Sequence, residues 1–222
     1  MRAAKSDRPD DARSPPRVAR LVVACLLLVL AGWLLQSARA AEPGAATAAR
    51  APLAEYYAER WGSRDGLPHN MVSGLVQAPD GYLWMATLEG AVRYSGREFR
   101  VFDAGNVPGL RGNAVRSIAV DADGAVLLAT TRDGVARQTA DGWEFLRLAG
   151  QDVADATITV AVGRSGRVWA GGENSGVIRF DADGSQKQFG IDAGLPSAYV
   201  NALLEDAEAR LWVGTTRGLA AI

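Results

Sequence analysis

The sequence predicts an all-β fold, a series of β-propeller blades in which each blade is a four-stranded antiparallel sheet. One motif recurs four times within 222 residues, as DGYLWMATLEG, DGAVLLATTRDG, SGRVWAGGENSG and EARLWVGTTRG. The copies, aligned on Trp84, Leu127, Trp169 and Trp212, are spaced 43, 42 and 43 residues apart. A constant period in this range is typical of repeat architectures.

Each repeat contains four candidate strands. In the first repeat these are VSGLVQA, YLWMAT, AVRYS and EFRVF. Asp80-Gly81 and Ser95-Gly96 separate neighbouring strands, and such pairs suit tight hairpins because glycine adopts a positive φ without steric cost. Four strands joined by tight turns form an antiparallel meander, and a sheet of this size must stack on neighbours of its own kind to bury both faces.

Radial stacking of such sheets at a period near 40 residues predicts a β-propeller. We expect blades at residues 72–102, 115–148, 158–189 and 200–222, with no outermost strand in the fourth. Residues 55–61, EYYAERW, are predicted to be a ring-closing strand. The result is an incomplete ring of about three and a half blades, since closed rings usually have about four to eight. The main alternative, a single β-sandwich, does not explain the regular period.

The tryptophans of the motif are predicted to pack between blades. Small residues follow each of these positions, for example Ala86-Thr87 after Trp84 and Gly171-Gly172 after Trp169. Such residues fit the crowded packing expected near a propeller axis.

The first forty residues differ from the rest of the chain. Fifteen apolar residues, Leu21 to Leu35, follow several arginines and precede Ala38-Arg39-Ala40. A basic region, a short apolar region and an A-x-A site predict a signal peptide over residues 1–40, forming a signal helix. An uncleaved signal anchor is the alternative, and in both cases the remainder is exported. Residues 41–54 are rich in alanine and are predicted to be a flexible linker.

Composition excludes several classes of site. The single cysteine, Cys25, lies inside the apolar run, so the exported part is expected to have no disulfide, no cysteine-type zinc site and no thiol nucleophile. The net charge is −1 for the whole chain and about −5 beyond residue 40, without a basic block. We therefore expect no nucleic-acid partner.

The segments between blades identify a family. RDGLPHNMV (residues 64–72) and DAGLPSAYV (residues 192–200) precede the first and fourth copies of the motif. Together with the following D-x-x-G-x-LW-x-x-T-x-x-G pattern, they resemble the two-component regulator propeller repeats of bacterial sensors, over about residues 56–222. The resemblance implies a periplasmic sensor region attached to the inner membrane, by the signal anchor or by a downstream helix. It also implies output by a histidine kinase or diguanylate cyclase located outside these residues.

No catalytic residue, metal site or cofactor is predicted. His69 is the single histidine, and the common zinc sites and catalytic triads need further partners. If a ligand binds, the loops that lead into the innermost strands are the best candidates, because in propellers they converge on the channel mouth. The candidate ligand-binding residues are Arg64, His69, Asn70, Arg111, Asn113, Tyr199 and Asn201.

Three functions are consistent with these patterns. The first is a sensory module that binds a periplasmic small molecule or glycan, and in full-length form a homodimer is a further expectation. The second is a secreted propeller enzyme of lyase type, for which the single histidine is unfavourable. The third is a scaffold for proteins of the cell envelope. The export signal and the family resemblance favour the first.

Overall fold

The computed structural model of this protein describes residues 57–148 and 156–222. The predicted signal peptide and the linker over residues 41–54 lie outside the described residues. Residues 59–222 form one compact unit of antiparallel sheets. The described part contains 15 strands in four sheets, which confirms the all-β prediction.

Each sheet is a meander whose strands pair in chain order. Blade 1 consists of β1 (Val72–Gln77), β2 (Leu83–Thr87), β3 (Gly90–Tyr94) and β4 (Phe99–Phe102). Blade 2 consists of β5 (Val115–Val120), β6 (Val126–Thr130), β7 (Val135–Thr139) and β8 (Gly142–Leu146). Blade 3 consists of β9 (Thr157–Val162), β10 (Val168–Gly172), β11 (Val177–Phe180) and β12 (Gln186–Phe189). Blade 4 consists of β13 (Val200–Glu205), β14 (Leu211–Thr215) and β15 (Gly218–Ala221).

The turn between the first two strands of every blade needs one residue in the left-handed region. Gly81, Gly124 and Gly166 take this position with φ of 87°, 86° and 78°. In blade 4 the position is held by Ala209, with φ 61°, and Ala209 is the one described residue other than glycine with a positive φ. The turn geometry is therefore retained even where its preferred residue is absent, at a cost in backbone strain.

The blades stack through their inner strands, with β1 against β5, β5 against β9 and β9 against β13. Trp84 packs in one cluster with Ile118 and Leu128 of blade 2, and Trp169 packs in another with Leu211 and Val213 of blade 4. The prediction that the motif tryptophans pack between blades is confirmed for both residues.

Close packing between blades 3 and 4 explains why residue 171, two positions after Trp169, is a glycine. A Cβ on Gly171 would lie 2.6 Å from Val200 of blade 4 and 2.7 Å from Thr159 of its own blade. No larger residue fits between the two inner strands at this point.

The structure differs from the sequence prediction at the amino-terminal side of blade 1. Residues 57–62 form no strand, whereas a ring-closing strand was predicted over residues 55–61. Trp61 instead lies on the outer face of blade 1, with its ring 5.5 Å from that of Tyr94. Contact of the half-exposed indole with this apolar face accounts for its position. A role of residues 55–61 in ring closure stays a prediction.

Candidate functional site

The loops that precede the inner strands and the turns that follow the second strands lie at one edge of the blades, here called the rim. Antiparallel pairing places them together, since Val72 is opposite Thr87 and Val115 is opposite Thr130. Backbone hydrogen bonds join the two kinds of loop in blades 2, 3 and 4, from Thr131 to Ala114, Glu173 to Ala156 and Thr216 to Tyr199. The predicted ligand-binding residues therefore share one edge of the fold.

The rim loop of blade 1 is held by its own polar side chains. The Asn70 Oδ1 accepts a hydrogen bond from the Ser63 N–H at 2.8 Å, and the His69 Nδ1 accepts one from the Met71 N–H at 3.0 Å. Arg64 is exposed in a short 3₁₀ turn, Ser63–Asp65. Asn70 and His69 thus shape the loop.

Arg111 belongs to an ionic cluster built around a buried carboxylate. Its backbone N–H and its Nε donate to the two carboxylate oxygens of Asp133, each at 2.7 Å. Arg147 donates to the same carboxylate at 2.9 Å, and the Asp133 N–H donates to the Thr130 hydroxyl. Because the Asp133 side chain is 0% exposed, this cluster fixes the rim loop of blade 2. Asp133 was missed by sequence reasoning, since its turn position alone gives no sign of burial.

Asn113 connects blade 1 to the rim loop of blade 2. Its Oδ1 accepts from the Ala104 N–H at 3.1 Å, and its Nδ2 donates to the Glu89 Oε2 at 3.1 Å. Both ends of the amide are therefore used in holding the loop between the blades.

The rim of blade 4 is more open. The backbone N–H of Tyr199 donates to the Ser197 hydroxyl at 3.1 Å, and its carbonyl accepts from Thr216. These bonds fix the backbone and leave the phenol ring half-buried at the rim, while Asn201 is exposed at the start of β13. Tyr199 and Asn201 can therefore meet a ligand without dismantling the loop.

Blade 1 has an apolar outer face against which no blade of the described residues packs. Corresponding positions show this directly, since Leu75 is 62% exposed while its counterparts Ile118 and Val160 are 8% and 6% exposed. A groove of about 260 Å³ on this face is lined by Trp61, Leu67, Val72, Leu75, Leu83, Met85, Tyr94 and Phe99. On the far face of blade 4, Leu204 and Leu219 are exposed. Both end blades thus expose surfaces whose equivalents in the inner blades are buried against a neighbouring blade.

Neither a cluster of metal-ligating side chains nor a membrane-spanning helix occurs in the described ranges. Within residues 57–148 and 156–222, no group of three or more histidine, cysteine, aspartate or glutamate side chains could hold a metal ion. The same ranges contain no helix that is long and apolar enough to cross a membrane.

Two segments, residues 66–89 and 194–217, match the sequence profile described as two component regulator propeller. Each segment runs from a rim loop through the inner and second strands of blade 1 or blade 4. The resemblance expected from the sequence is confirmed, and both blades are built on repeats of this type. No curated protein matches the chain in sequence.

Solved structures share the architecture. The extracellular domain of a hybrid two component system from B. thetaiotaomicron is 22% identical with a TM-score of 0.63, covering 74% of this chain and 25% of that one. Virginiamycin B lyase from Staphylococcus aureus is 17% identical with a TM-score of 0.54, covering 71% and 57%. PorZ of the type-IX secretion system of Porphyromonas gingivalis is 15% identical with a TM-score of 0.55, covering 69% and 26%. These similarities establish the propeller fold, and the chain spans about a quarter of the B. thetaiotaomicron domain.

Proposed function

We propose that this chain is the exported sensory portion of a bacterial signal-transduction receptor of the two-component regulator propeller type. Its blades bind a small molecule or glycan at the rim, and a histidine kinase or diguanylate cyclase provides the output. The match of residues 66–89 and 194–217 to propeller repeats of this family carries the proposal. The predicted signal segment over residues 1–40 supports export.

Two features of the rim support binding rather than catalysis. Arg111, Asn113 and Asn70 are held in hydrogen bonds that give the loops a fixed shape. His69 uses its Nδ1 to accept a backbone N–H, which suits a turn rather than a proton-transfer role. The hydrogen-bonded loops of blades 1 and 2, together with the accessible Tyr199 and Asn201 of blade 4, support a binding role for the rim.

Export can be tested with alkaline phosphatase, an enzyme that is active only outside the bacterial cytoplasm. A fusion of residues 1–222, with the phosphatase after Ile222, is expected to be active in intact cells. The control fusion, which starts at Ala41 and has no signal segment, is expected to be inactive. Equal inactivity of both fusions, with both proteins present on a blot, would contradict export.

Binding can be tested by thermal unfolding of the purified protein with panels of periplasmic metabolites and oligosaccharides. A ligand of the rim is expected to raise the unfolding temperature of the wild type and of Lys187→Ala, a control on the outer strand of blade 3. The rise should be lost in Tyr199→Ala. A ligand recovered with a changed mass would point to the lyase-type enzyme instead, and equal effects in all three proteins would exclude the rim.

A further inference from the structure

Two arginines face each other across blade 1. Arg93 on β3 is directly opposite Arg100 on β4. Like charges at directly opposite positions of an antiparallel pair destabilise a sheet unless a counter-charge is present. This pair therefore needs an explanation.

Blade 2 shows how the same positions are neutralised. Arg137 corresponds to Arg93 and is directly opposite Glu144. The Arg137 guanidinium lies 3.3 Å from Glu144, and it also forms a salt bridge of 2.6 Å with Asp121. The hydrogen bond and the charge of Asp121 raise the pKa of Arg137 above its ordinary value. In blade 3 the equivalent Arg179 is opposite Lys187 and is paired with Asp181 at 2.7 Å.

Blade 1 lacks both of these carboxylates. Arg100 stands in place of Glu144, and Ala78 stands in place of Asp121, as the shared backbone hydrogen bond across the following turn shows. Within residues 57–148 and 156–222, neither Arg93 nor Arg100 has a carboxylate within salt-bridge distance. Arg93 lies over the ring of Tyr82 at 4.3 Å, and Arg100 lies over the ring of Phe102 at 5.1 Å.

Both arginines line a groove between β4 of blade 1 and the β7–β8 hairpin of blade 2. The groove has a volume of about 440 Å³, which is in the range of small-molecule sites. Its walls also carry the amide of Gln138 and the aromatic ring of Trp143, while the Asn106 amide is engaged with Val101 and Asp103. The groove combines two guanidinium groups, an amide and an apolar wall.

We propose that this groove binds the oxyanion group of a small anionic ligand, with Arg93 and Arg100 as the charged contacts. Guanidinium groups bind carboxylate and phosphate oxygens through paired, charge-assisted hydrogen bonds. A bound oxyanion supplies the negative charge that Glu144 and Asp121 supply in blade 2. Phosphate and carboxylate groups share this chemistry. The site does not involve the rim, so it stands independently of the proposed function.

Isothermal titration at low ionic strength tests the proposal with two probes, inorganic phosphate and citrate, against sodium chloride of equal ionic strength. Wild-type protein is expected to bind at least one probe, and the tighter probe identifies the source as a phosphate or a carboxylate group. Arg100→Glu is expected to weaken binding at least about tenfold, because it restores the pairing seen in blade 2. Absence of binding of either probe at about 10 mM would overturn the proposal.

Arg97→Glu is the matched control, since it makes the same charge change at an exposed position of the β3–β4 turn that does not line the groove. It is expected to bind the probe within about twofold of the wild type, as distant surface charges are screened. Arg100→Glu is also expected to unfold at a higher temperature than the wild type without ligand, which separates lost binding from lost folding. Equal weakening in the two variants would show an effect of net charge alone and would overturn the site.

Discussion

Blades 1 and 2 each have four strands with the same pairing register, yet they differ in how their charged side chains are paired. In blade 2, Arg137 is neutralised by Asp121 and Glu144, and the turn carboxylate Asp133 is buried beneath two arginines. In blade 1, Arg93 faces another arginine, and the corresponding turn carboxylate, Glu89, is exposed. The repeat thus preserves backbone and apolar packing, while charge compensation is local to each blade.

The motif tryptophans show the same difference. The indole N–H of Trp169 donates to Glu205 of the next blade at 2.9 Å, and that of Trp212 donates to Asp206 of its own blade at 2.8 Å. The Trp84 indole N–H is buried without a hydrogen-bond partner in the described part of the chain. The positions of Glu205 and Asp206 are taken by Val120 and Ala78 around Trp84. The indole N–H of the motif tryptophan is therefore unpaired in blade 1 and hydrogen-bonded in blades 3 and 4.

The largest expected difference in stability is between variants of the two turn carboxylates, Asp133 and Glu89. Asp133→Asn should lower the free energy of unfolding by about 3 kcal/mol, because the partly exposed Arg111 and Arg147 lose their charge-assisted hydrogen bonds to a buried carboxylate. Glu89→Gln should change it by less than about 0.5 kcal/mol, because this side chain is exposed. Urea unfolding of both variants measures the difference. Similar losses in the two would contradict the contrast between the blades.

Tryptophan-to-phenylalanine variants test the comparison between the paired indole of Trp169 and the unpaired indole of Trp84. Trp169→Phe and Trp84→Phe both lose part of a buried ring, but only the first leaves Glu205 without its indole donor. We expect Trp169→Phe to be more destabilising by about 2 kcal/mol, the value of a hydrogen bond to a charged group. The same unfolding assay checks this, and a larger loss for Trp84→Phe would refute the assignment of paired and unpaired donors.

A smaller effect is expected at the turn after the inner strand. Ala209→Gly should raise the free energy of unfolding by about 0.5–1 kcal/mol, since glycine relieves the left-handed strain by more than it adds to unfolded-state entropy. Gly166→Ala is the reverse change in blade 3, where a Cβ would meet no atom within 4 Å. It should lower the free energy by a similar amount. Changes of the same sign in the two variants would be inconsistent with backbone strain as the cause.

The smallest effect is expected in acid. Burial of the Asp206 carboxyl opposes its ionisation, but hydrogen bonds from the Trp212 indole and from Arg210 outweigh it and lower the pKa of Asp206 to about 2. A depressed pKa in the folded state stabilises the fold above the ordinary value of 3.8, and this contribution is lost as pH falls toward 2. Asp206→Asn should therefore unfold with a weaker dependence on pH between about 4 and 2 than the wild type. Identical pH profiles would show that Asp206 does not carry the effect.

The periodic sequence predicted much of the fold because strand alternation and turn chemistry are local properties. The spacing of Trp84 and Trp169 placed the interfaces between blades correctly. The strand predicted over residues 55–61 was not found in the described residues 57–61, where Trp61 packs on the face of blade 1. Local pattern could not show that this face was open to receive it.

The candidate site was predicted only in its location. The rim residues lie at one edge, as the order of strands required, but the contacts of Arg111 with Asp133 join residues 22 positions apart. Such pairing depends on the path of two loops, which a single sequence does not specify. Ligand binding at the rim stays a prediction. The arginine pair of blade 1 became visible only when the register placed Arg93 opposite Arg100.

Within the described residues, blade 1 lacks the indole acceptors that Glu205 and Asp206 provide for Trp169 and Trp212. The indole N–H resonances in a ¹H–¹⁵N spectrum test this claim directly, after assignment with single tryptophan-to-phenylalanine variants. Hydrogen-bonded indole protons resonate downfield, so we predict that the Trp84 signal lies upfield of the Trp169 and Trp212 signals. A Trp84 signal as far downfield as the other two would show that its donor is paired and would contradict the account.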